Sequence, residues 1–172
     1  MIIHSRAGYV HANGTISSIY VDYDGHYEEL GNTLLEHYNS LKRAEEIVAL
    51  GDAVTLEATL EESVFFSRDY GEPDSEAELS KNLDEFYQSC RNCGVFLAYL
   101  WIDGGWLTMT VTPEKPSLAV ANRPHELSEE ATTRLREIAN GTSTIKIELI
   151  AAPLWERPDA LTPLKDEFKK TT

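Results

Sequence analysis

The sequence predicts an α+β fold, a single domain with a mainly antiparallel sheet built from hairpins and with three to five helices. First, 172 residues are enough to bury one substantial core. Second, alternating strands flank two turn signals, Asn13-Gly14 and Asp103-Gly104-Gly105. Third, strands and helices come in blocks, whereas a parallel α/β fold would alternate them one for one. Residues 1–172 are therefore taken as one domain, with an acidic N-terminal half (1–72).

The first hairpin is predicted from alternation and turn chemistry. Residues 1–12 alternate loosely and form the first strand, and Asn13-Gly14 favours a type I′ turn because both residues tolerate positive φ angles. Residues 16–23 carry β-branched and aromatic side chains typical of a half-buried strand. These two strands are expected to pair antiparallel, and Asp24-Gly25 ends the second one.

Two helices are predicted next. Apolar side chains recur at three- and four-residue steps, which indicates one helical face: Leu30, Leu34, Leu35, Tyr38 and Leu41. Ser40 suits the N-cap of the second helix, and Gly51 suits the position after its end. The buried face of this second helix is predicted to consist of Leu41, Ala44, Ile47 and Val48.

The middle of the chain predicts a short strand pair and a third helix. Residues 53–60 alternate as a strand that pairs with 63–67. Ser75 and Glu78 match a capping box, so a helix is expected to start there. Its apolar face would be Leu79, Leu83, Phe86, Tyr87 and Cys90.

The second half predicts the central strand at 95–102, which is the most apolar run, followed by a turn into 106–111. Residues 118–124 are expected to be irregular or a short edge strand. Ser128 would cap a further helix, and 143–150 alternates as a last strand. Residues 151–172 form a tail punctuated by prolines, with a short helix beginning at Thr162.

About the first 70 residues resemble an uncharacterised family of phage and prophage proteins. The family pattern reads SIY, an aromatic and polar run, DG, then G-x-x-LLEHY and ALGD. It is matched here by Ser18 to Tyr20, Asp24-Gly25, Gly31, Leu34 to Tyr38 and Ala49 to Asp52. The resemblance implies a gene carried by a phage or an integrated element, whose product acts in the bacterial cytoplasm. It implies no activity.

The net charge of −14 comes from one segment. Residues 22–90 hold 18 acidic and 4 basic side chains, whereas the rest of the chain holds 11 of each. A surface of this composition repels nucleic acid and lipid headgroups and attracts basic protein surfaces. No signal peptide and no membrane-spanning run are recognised in the sequence.

Charge and resemblance together predict a non-enzymatic accessory protein that binds a host protein with a basic surface. An anti-defence inhibitor or a nucleic-acid mimic would fit this description. Neither a cofactor nor a metal is expected, no direct contact with nucleic acid or membrane is expected, and a homodimer is left open. The predicted protein-binding residues are Tyr20, Asp22, Tyr23, Asp24, Tyr27, Glu28, Glu29 and Glu36. Two of the four tyrosines at 20, 23, 27 and 38 are expected to pack in the core instead.

Two other functions stay open. A nucleotide-signal binder would use cations of the neutral half of the chain: Arg91, Arg123, Arg134 and Arg136. A metal-dependent hydrolase is suggested because IYVDYDG resembles the first motif of haloacid-dehalogenase-type phosphatases, which would make Asp22 the nucleophile and Asp24 the acid/base. Against it, that fold needs a parallel central strand, and its later lysine and carboxylate motifs do not follow.

Cys90 and Cys93 form a C-x-x-C pair that could be structural, zinc-binding or redox-active. The pair is placed at a helix C-terminus, where the helix dipole disfavours a thiolate. A zinc site would need two further ligands, and none of the five histidines forms a partner pair at ligand spacing. Structural cysteines are therefore predicted.

Overall fold

A computed structural model describes residues 3–102, 104–111, 117–121 and 146–150. Within these ranges the chain forms nine strands, one π-helical turn and four α-helices. The strands are β1 Ser5–Val10, β2 Ile16–Val21, β3 Ala53–Thr55, β4 Val64–Phe65, β5 Glu78–Ser80, β6 Leu97–Ile102, β7 Gly105–Val111, β8 Ser117–Ala121 and β9 Lys146–Ile150. The helices are α1 Asn32–His37, α2 Leu41–Ala49, α3 Phe66–Tyr70 and α4 Leu83–Asn92, and the π-helical turn is Tyr27–Gly31.

All nine strands belong to one sheet with the order β4-β3-β2-β1-β6-β7-β8-β9, and β5 pairs with β2 beside this path. The predicted combination of helices with a strand-rich sheet is confirmed. The sheet is not purely antiparallel, however, because β1–β6, β2–β3 and β8–β9 pair parallel. Hairpin reasoning missed these pairings, since each joins strands that are not connected by a tight turn.

The central position predicted for the most apolar run is confirmed. Strand β6 lies between β1 and β7, and all six of its side chains are buried. A strand that is covered on both faces needs no polar alternation, which explains its continuous apolar sequence.

The pleat divides the buried side chains between two cores. On the first face Ala7 and Tyr99 pack under the π-helical turn, α1 and α2. On the second face Leu100 and Met109 pack under α4. The domain is thus a three-layer arrangement in which one sheet separates two helical layers.

The β1–β2 hairpin is confirmed, but its turn is not type I′. Val10 pairs with Ile16, so the loop spans His11 to Thr15. The Gly14 N–H donates to the His11 carbonyl at 3.0 Å, and Gly14 has φ +90°. Asn13 is not among the described non-glycine residues with positive φ. In this five-residue loop only the glycine needs a positive φ angle, whereas a type I′ turn needs two such residues.

The predictions for the two helices between β2 and β3 hold with two exceptions. The Ser40 side chain accepts from Arg43 N at 3.1 Å, which confirms the N-cap of α2, and Gly51 follows α2 with φ +82°. Leu41 was predicted to be buried, but it is the first residue of α2 and is 45% exposed. The chain before α1 is π-helical, a local widening that periodicity does not reveal.

The capping box at Ser75 to Glu78 was wrong. Residues 78–80 form strand β5, and α4 starts later, where the Asn82 side chain accepts from Glu85 N at 2.9 Å. Leu79 is therefore not part of the apolar helix face and is 61% exposed. A strand forms here instead of a helix because Glu78 to Ser80 pair with the otherwise open edge of β2.

Other boundaries shift or fall outside the described residues. Strand β3 is shorter than the predicted 53–60, although its pairing with β4 is confirmed. Strand β8 lies inside the sheet between β7 and β9, so it is neither irregular nor an edge. The helix predicted after Ser128 and the tail 151–172 lie outside the described residues. No helix in the described part of the chain has the length and apolarity that a membrane span requires.

Candidate functional site

A strip of polar side chains crosses the second face of the sheet over β1 and β2. Helix α4 contacts β5 and β7 and packs in one core with apolar side chains of β6 and β7, whereas β1 and β2 also direct polar groups to this face. The residues of this polar strip are His4, Arg6, Ser18, Tyr20 and Asp22. They share one face because alternate residues of a strand point the same way and because β1 and β2 pair in register.

The strip opens into a cleft of about 400 Å³, called here the acidic cleft. It is lined by Arg6, Tyr20, Asp52, Asp74, Glu76, Glu78 and Cys93. Four of these seven residues are carboxylates, and they come from the end of α2 and from the segment leading into β5. None of these four carboxylates is among the protein-binding residues predicted from the sequence.

Arg6 is the one cation among the residues that line the acidic cleft, and it is only 3% exposed. Its Nε donates to Ser18 Oγ at 3.0 Å, and its Nη2 donates to the Ser18 carbonyl at 3.2 Å. Nη2 also lies 3.6 Å from Glu78 Oε2, and Glu78 accepts a hydrogen bond from the Ser89 hydroxyl of α4. Arg6 is thus held by the sheet and balances part of the negative charge around it.

Asp52 joins the acidic cleft to the backbone of β2. Its Oδ1 accepts from the Tyr20 N–H at 2.8 Å, at a point on the β2 edge between β3 and β5. Burial raises the pKa of the Asp52 carboxyl above its usual range, the Tyr20 N–H and Arg6 oppose this, and Glu78 and Glu76 add to it. The folded protein therefore disfavours the ionised form of Asp52 relative to the unfolded chain.

Asp52→Asn should gain stability relative to wild type as the pH rises from about 3 to 7. A carboxyl whose pKa is higher in the folded protein than in the unfolded chain stabilises the fold most at pH values below its unfolded pKa, which is about 3.9. This stabilisation is lost as the pH rises through the pKa of the folded protein. Asparagine keeps the acceptor for Tyr20 N–H but does not ionise. Urea unfolding at a series of pH values measures the difference.

Asp52→Ala is the matched control for this prediction. It also removes the charge, but it leaves the Tyr20 N–H without its acceptor, so it should be less stable than Asp52→Asn by about 1–3 kcal/mol. A constant difference between wild type and Asp52→Asn across the pH range would contradict the assignment of a raised pKa.

The other end of the polar strip joins Tyr20, Asp22 and His4. The Tyr20 hydroxyl donates to Asp22 Oδ1 at 3.1 Å, and His4 Nδ1 lies 3.2 Å from the same oxygen and 2.9 Å from the Asp22 carbonyl oxygen. Burial and then the Asp22 hydrogen bond raise the pKa of Tyr20, so this hydroxyl stays a donor. Asp22 is thus committed to contacts within β1 and β2.

These contacts give the hydrolase alternative no support. Asp24 is exposed in the turn after β2, with φ +57°, whereas Asp22 is bound to Tyr20 and His4. Strand β2 is antiparallel to β1 over its whole length and pairs parallel with β3 only at Val21–Ala53. Over the described residues, no group of three or more His, Cys, Asp or Glu side chains could hold a metal ion.

The predicted protein-binding residues lie in three different places: the polar strip, the first core and the surface. Tyr20 and Asp22 belong to the polar strip, and Tyr20 reaches the acidic cleft. Tyr27 cannot contact a partner because it is 1% exposed in the first core, where Tyr38 is also buried. The remaining predicted residues lie at the surface: Tyr23, Asp24, Glu28, Glu29 and Glu36.

The carboxylates of residues 22–90 do not form one continuous face. Glu45 and Glu46 lie on α2 over the first face, whereas Glu78 lies on the second face. Among the described residues arginine pairs with three of them, in the pairs Arg6–Glu78, Arg43–Glu46 and Arg68–Asp69. The acidic cleft is where carboxylates from separate parts of the chain converge.

The cysteines behave differently from each other. Cys90 is fully buried in the second core, and burial raises its pKa to about 12, so it stays a protonated thiol. This agrees with the structural role predicted for it. Cys93 caps the end of α4, is exposed, and lines the acidic cleft.

Of the four arginines suggested for nucleotide binding, only Arg91 lies in the described part of the chain, and it is not among the residues that line the acidic cleft. Arg91 places its guanidinium 5.9 Å from the ring centroid of Tyr87. Arg123, Arg134 and Arg136 lie outside the described residues. The carboxylates of the acidic cleft would repel a nucleotide phosphate.

Neither a protein-family model, nor a curated protein, nor a solved structure matches the chain. The resemblance to phage and prophage proteins therefore stays a prediction from the sequence pattern.

Proposed function

We propose that this is a non-enzymatic binding protein whose acidic cleft takes a cationic group of a partner protein. The observation that carries the proposal is the convergence of Asp52, Asp74, Glu76 and Glu78 on one cleft, opposed by Arg6 alone among its lining residues. The phage-type sequence pattern supports a host protein of the bacterial cytoplasm as the partner. The basic groove of a defence or DNA-processing complex is the kind of surface that would fit.

The geometry favours a lysine or arginine side chain over a diffuse contact. The cleft is about 400 Å³ and is partly enclosed by β1, β2 and the segment before β5, which reduces screening by solvent. Glu78 is held by Arg6 and Ser89, and Asp52 is held by Tyr20 N–H, so both acceptors are already oriented. Binding should therefore weaken steeply as salt concentration rises.

The test compares two triple variants that change the net charge equally. Asp74→Asn with Glu76→Gln and Glu78→Gln neutralises the acidic cleft. Glu28→Gln with Glu29→Gln and Glu36→Gln neutralises surface positions predicted from the sequence. A labelled hexa-arginine peptide, titrated at low and high salt, should lose about tenfold or more in affinity with the cleft variant. It should lose no more than about twofold with the surface variant.

This comparison distinguishes binding at the acidic cleft from general attraction by the net negative charge. Equal losses in the two variants would show that only net charge matters, and no binding by the wild-type protein at low salt would contradict the proposal. Thermal melting of both variants checks that they fold. Any partner captured from bacterial lysate should show the same order of losses when it replaces the peptide.

A further inference from the structure

Strand β5 presents an open edge of the sheet. One of its edges pairs antiparallel with β2, through Ser18–Glu78, Ser17–Leu79 and Ile16–Ser80. No other described strand pairs with β5. In an edge strand, alternate residues direct their N–H and C=O groups away from the sheet, and these groups can pair with another chain.

The two sides of this edge differ in chemistry. Glu78 points to the second face, where it lies 3.6 Å from Arg6. Leu79 pairs with Ser17 and so points to the first face, the side on which Ala77 packs against the core. An added strand would follow the same pleat, so its successive side chains would meet the two faces in turn.

A separate groove accompanies the edge on each side. On the second face lies the acidic cleft. On the first face lies a groove of about 370 Å³ between α2 and the segment before β5, called here the apolar groove. Its apolar lining includes Tyr9, Val48, Leu50 and Ala77. Polar side chains also line it, namely Glu45, Ser67, Ser75 and Glu76, and Glu76 lines the acidic cleft as well.

We propose that β5 receives an extended segment of the partner as an additional strand, in which basic residues alternate with apolar ones. This rests on the proposed function and names the form of the partner. Main-chain pairing with β5 would supply affinity, the basic side chains would lie beside Glu78 and Glu76, and the apolar ones beside Leu79 and the apolar groove. Strand addition of this kind takes its specificity from pockets for alternate side chains.

Charge complementarity argues against a second copy of this chain at the same edge. Two β5 strands related by a twofold axis would bring Glu76 and Glu78 of both copies to the same face. Like charges on facing strands destabilise their pairing. A basic segment, in contrast, would relieve the repulsion that the carboxylates already exert on one another.

The experiment uses the full chain and an acetylated, amidated peptide, Arg-Leu-Arg-Leu-Arg-Leu-Arg. A block isomer, Arg-Arg-Arg-Arg-Leu-Leu-Leu, has the same composition without the alternation and should bind about tenfold more weakly. Methylating the backbone nitrogen of every second residue in the alternating peptide gives two versions. Only the version that blocks the N–H groups facing β5 should lose binding.

Leu79→Ser is the matched variant of the protein. Because Leu79 is 61% exposed, this change should alter stability by no more than about 0.5 kcal/mol. It should weaken the alternating peptide but leave hexa-arginine unchanged. Equal binding of both isomers, with neither methylated version impaired, would overturn strand addition while the cleft proposal stands. Failure of the wild-type chain to bind any of the peptides, hexa-arginine included, would overturn the proposed function itself.

Discussion

Leu100→Ala should lower the free energy of unfolding by about 3–5 kcal/mol. Leu100 is fully buried in the middle of β6 and packs in the second core under α4. Because β6 has neighbouring strands on both sides and helices over both faces, little can collapse into the space that truncation leaves. Urea denaturation followed by circular dichroism measures the change.

Leu41→Ala is the matched control, since it is the same substitution at a leucine that the helical pattern also predicts to be buried. The side chain is 45% exposed, so the cost should stay within about 0.5 kcal/mol after its helix propensity is considered. Similar losses at the two positions would contradict the assignment of Leu100 to a closed core.

Gly51→Ala should cost about 2–4 kcal/mol. Gly51 has φ +82°, which a residue with a Cβ adopts at a cost of about 1–2 kcal/mol. An added Cβ would also lie 2.3 Å from the Ser75 carbonyl oxygen, so the backbone would have to move. The same carbonyl accepts from Asp52 N at 2.7 Å, so the change should displace the segment that carries Asp74 and Glu76.

Gly14→Ala separates the two contributions. Gly14 has a similar φ of +90°, but a Cβ there would meet nothing within 4 Å. It should therefore show only the conformational cost, about 1–2 kcal/mol, with unchanged binding of the hexa-arginine peptide. If Gly51→Ala cost no more than Gly14→Ala and bound the peptide normally, the close contact with Ser75 would not be important for the cleft.

The acidic cleft lies on the second face of the sheet, beside the end of α4. Helix α4 packs in one core with apolar side chains of β6 and β7. Over β1 and β2 the same face carries Arg6 and Tyr20, whose polar groups bond to Ser18 and Asp22 within the sheet. Arg6 is only 3% exposed and keeps its hydrogen-bond partners within the sheet, which makes the burial of its charge tolerable.

The sequence by itself determined the features that depend on neighbouring residues. Side-chain spacing identified β6, the buried face of α2 apart from Leu41, and the buried face of α4 apart from Leu79. Turn and cap chemistry identified both hairpins and Ser40. These signals are local, because periodicity and hydrogen-bond competition act within a turn or two of the backbone.

Only the tertiary structure decided which distant segments meet. Ser75 and Glu78 match a helix-start signal, yet residues 78–80 form a strand because the edge of β2 offers backbone partners. The cleft likewise joins Arg6, Asp52 and Glu78, which are far apart in sequence and share no motif. The surplus of carboxylates could be counted along the chain, but strand pairing determined where they converge. Such long-range contacts depend on packing of the whole sheet, which no local pattern encodes.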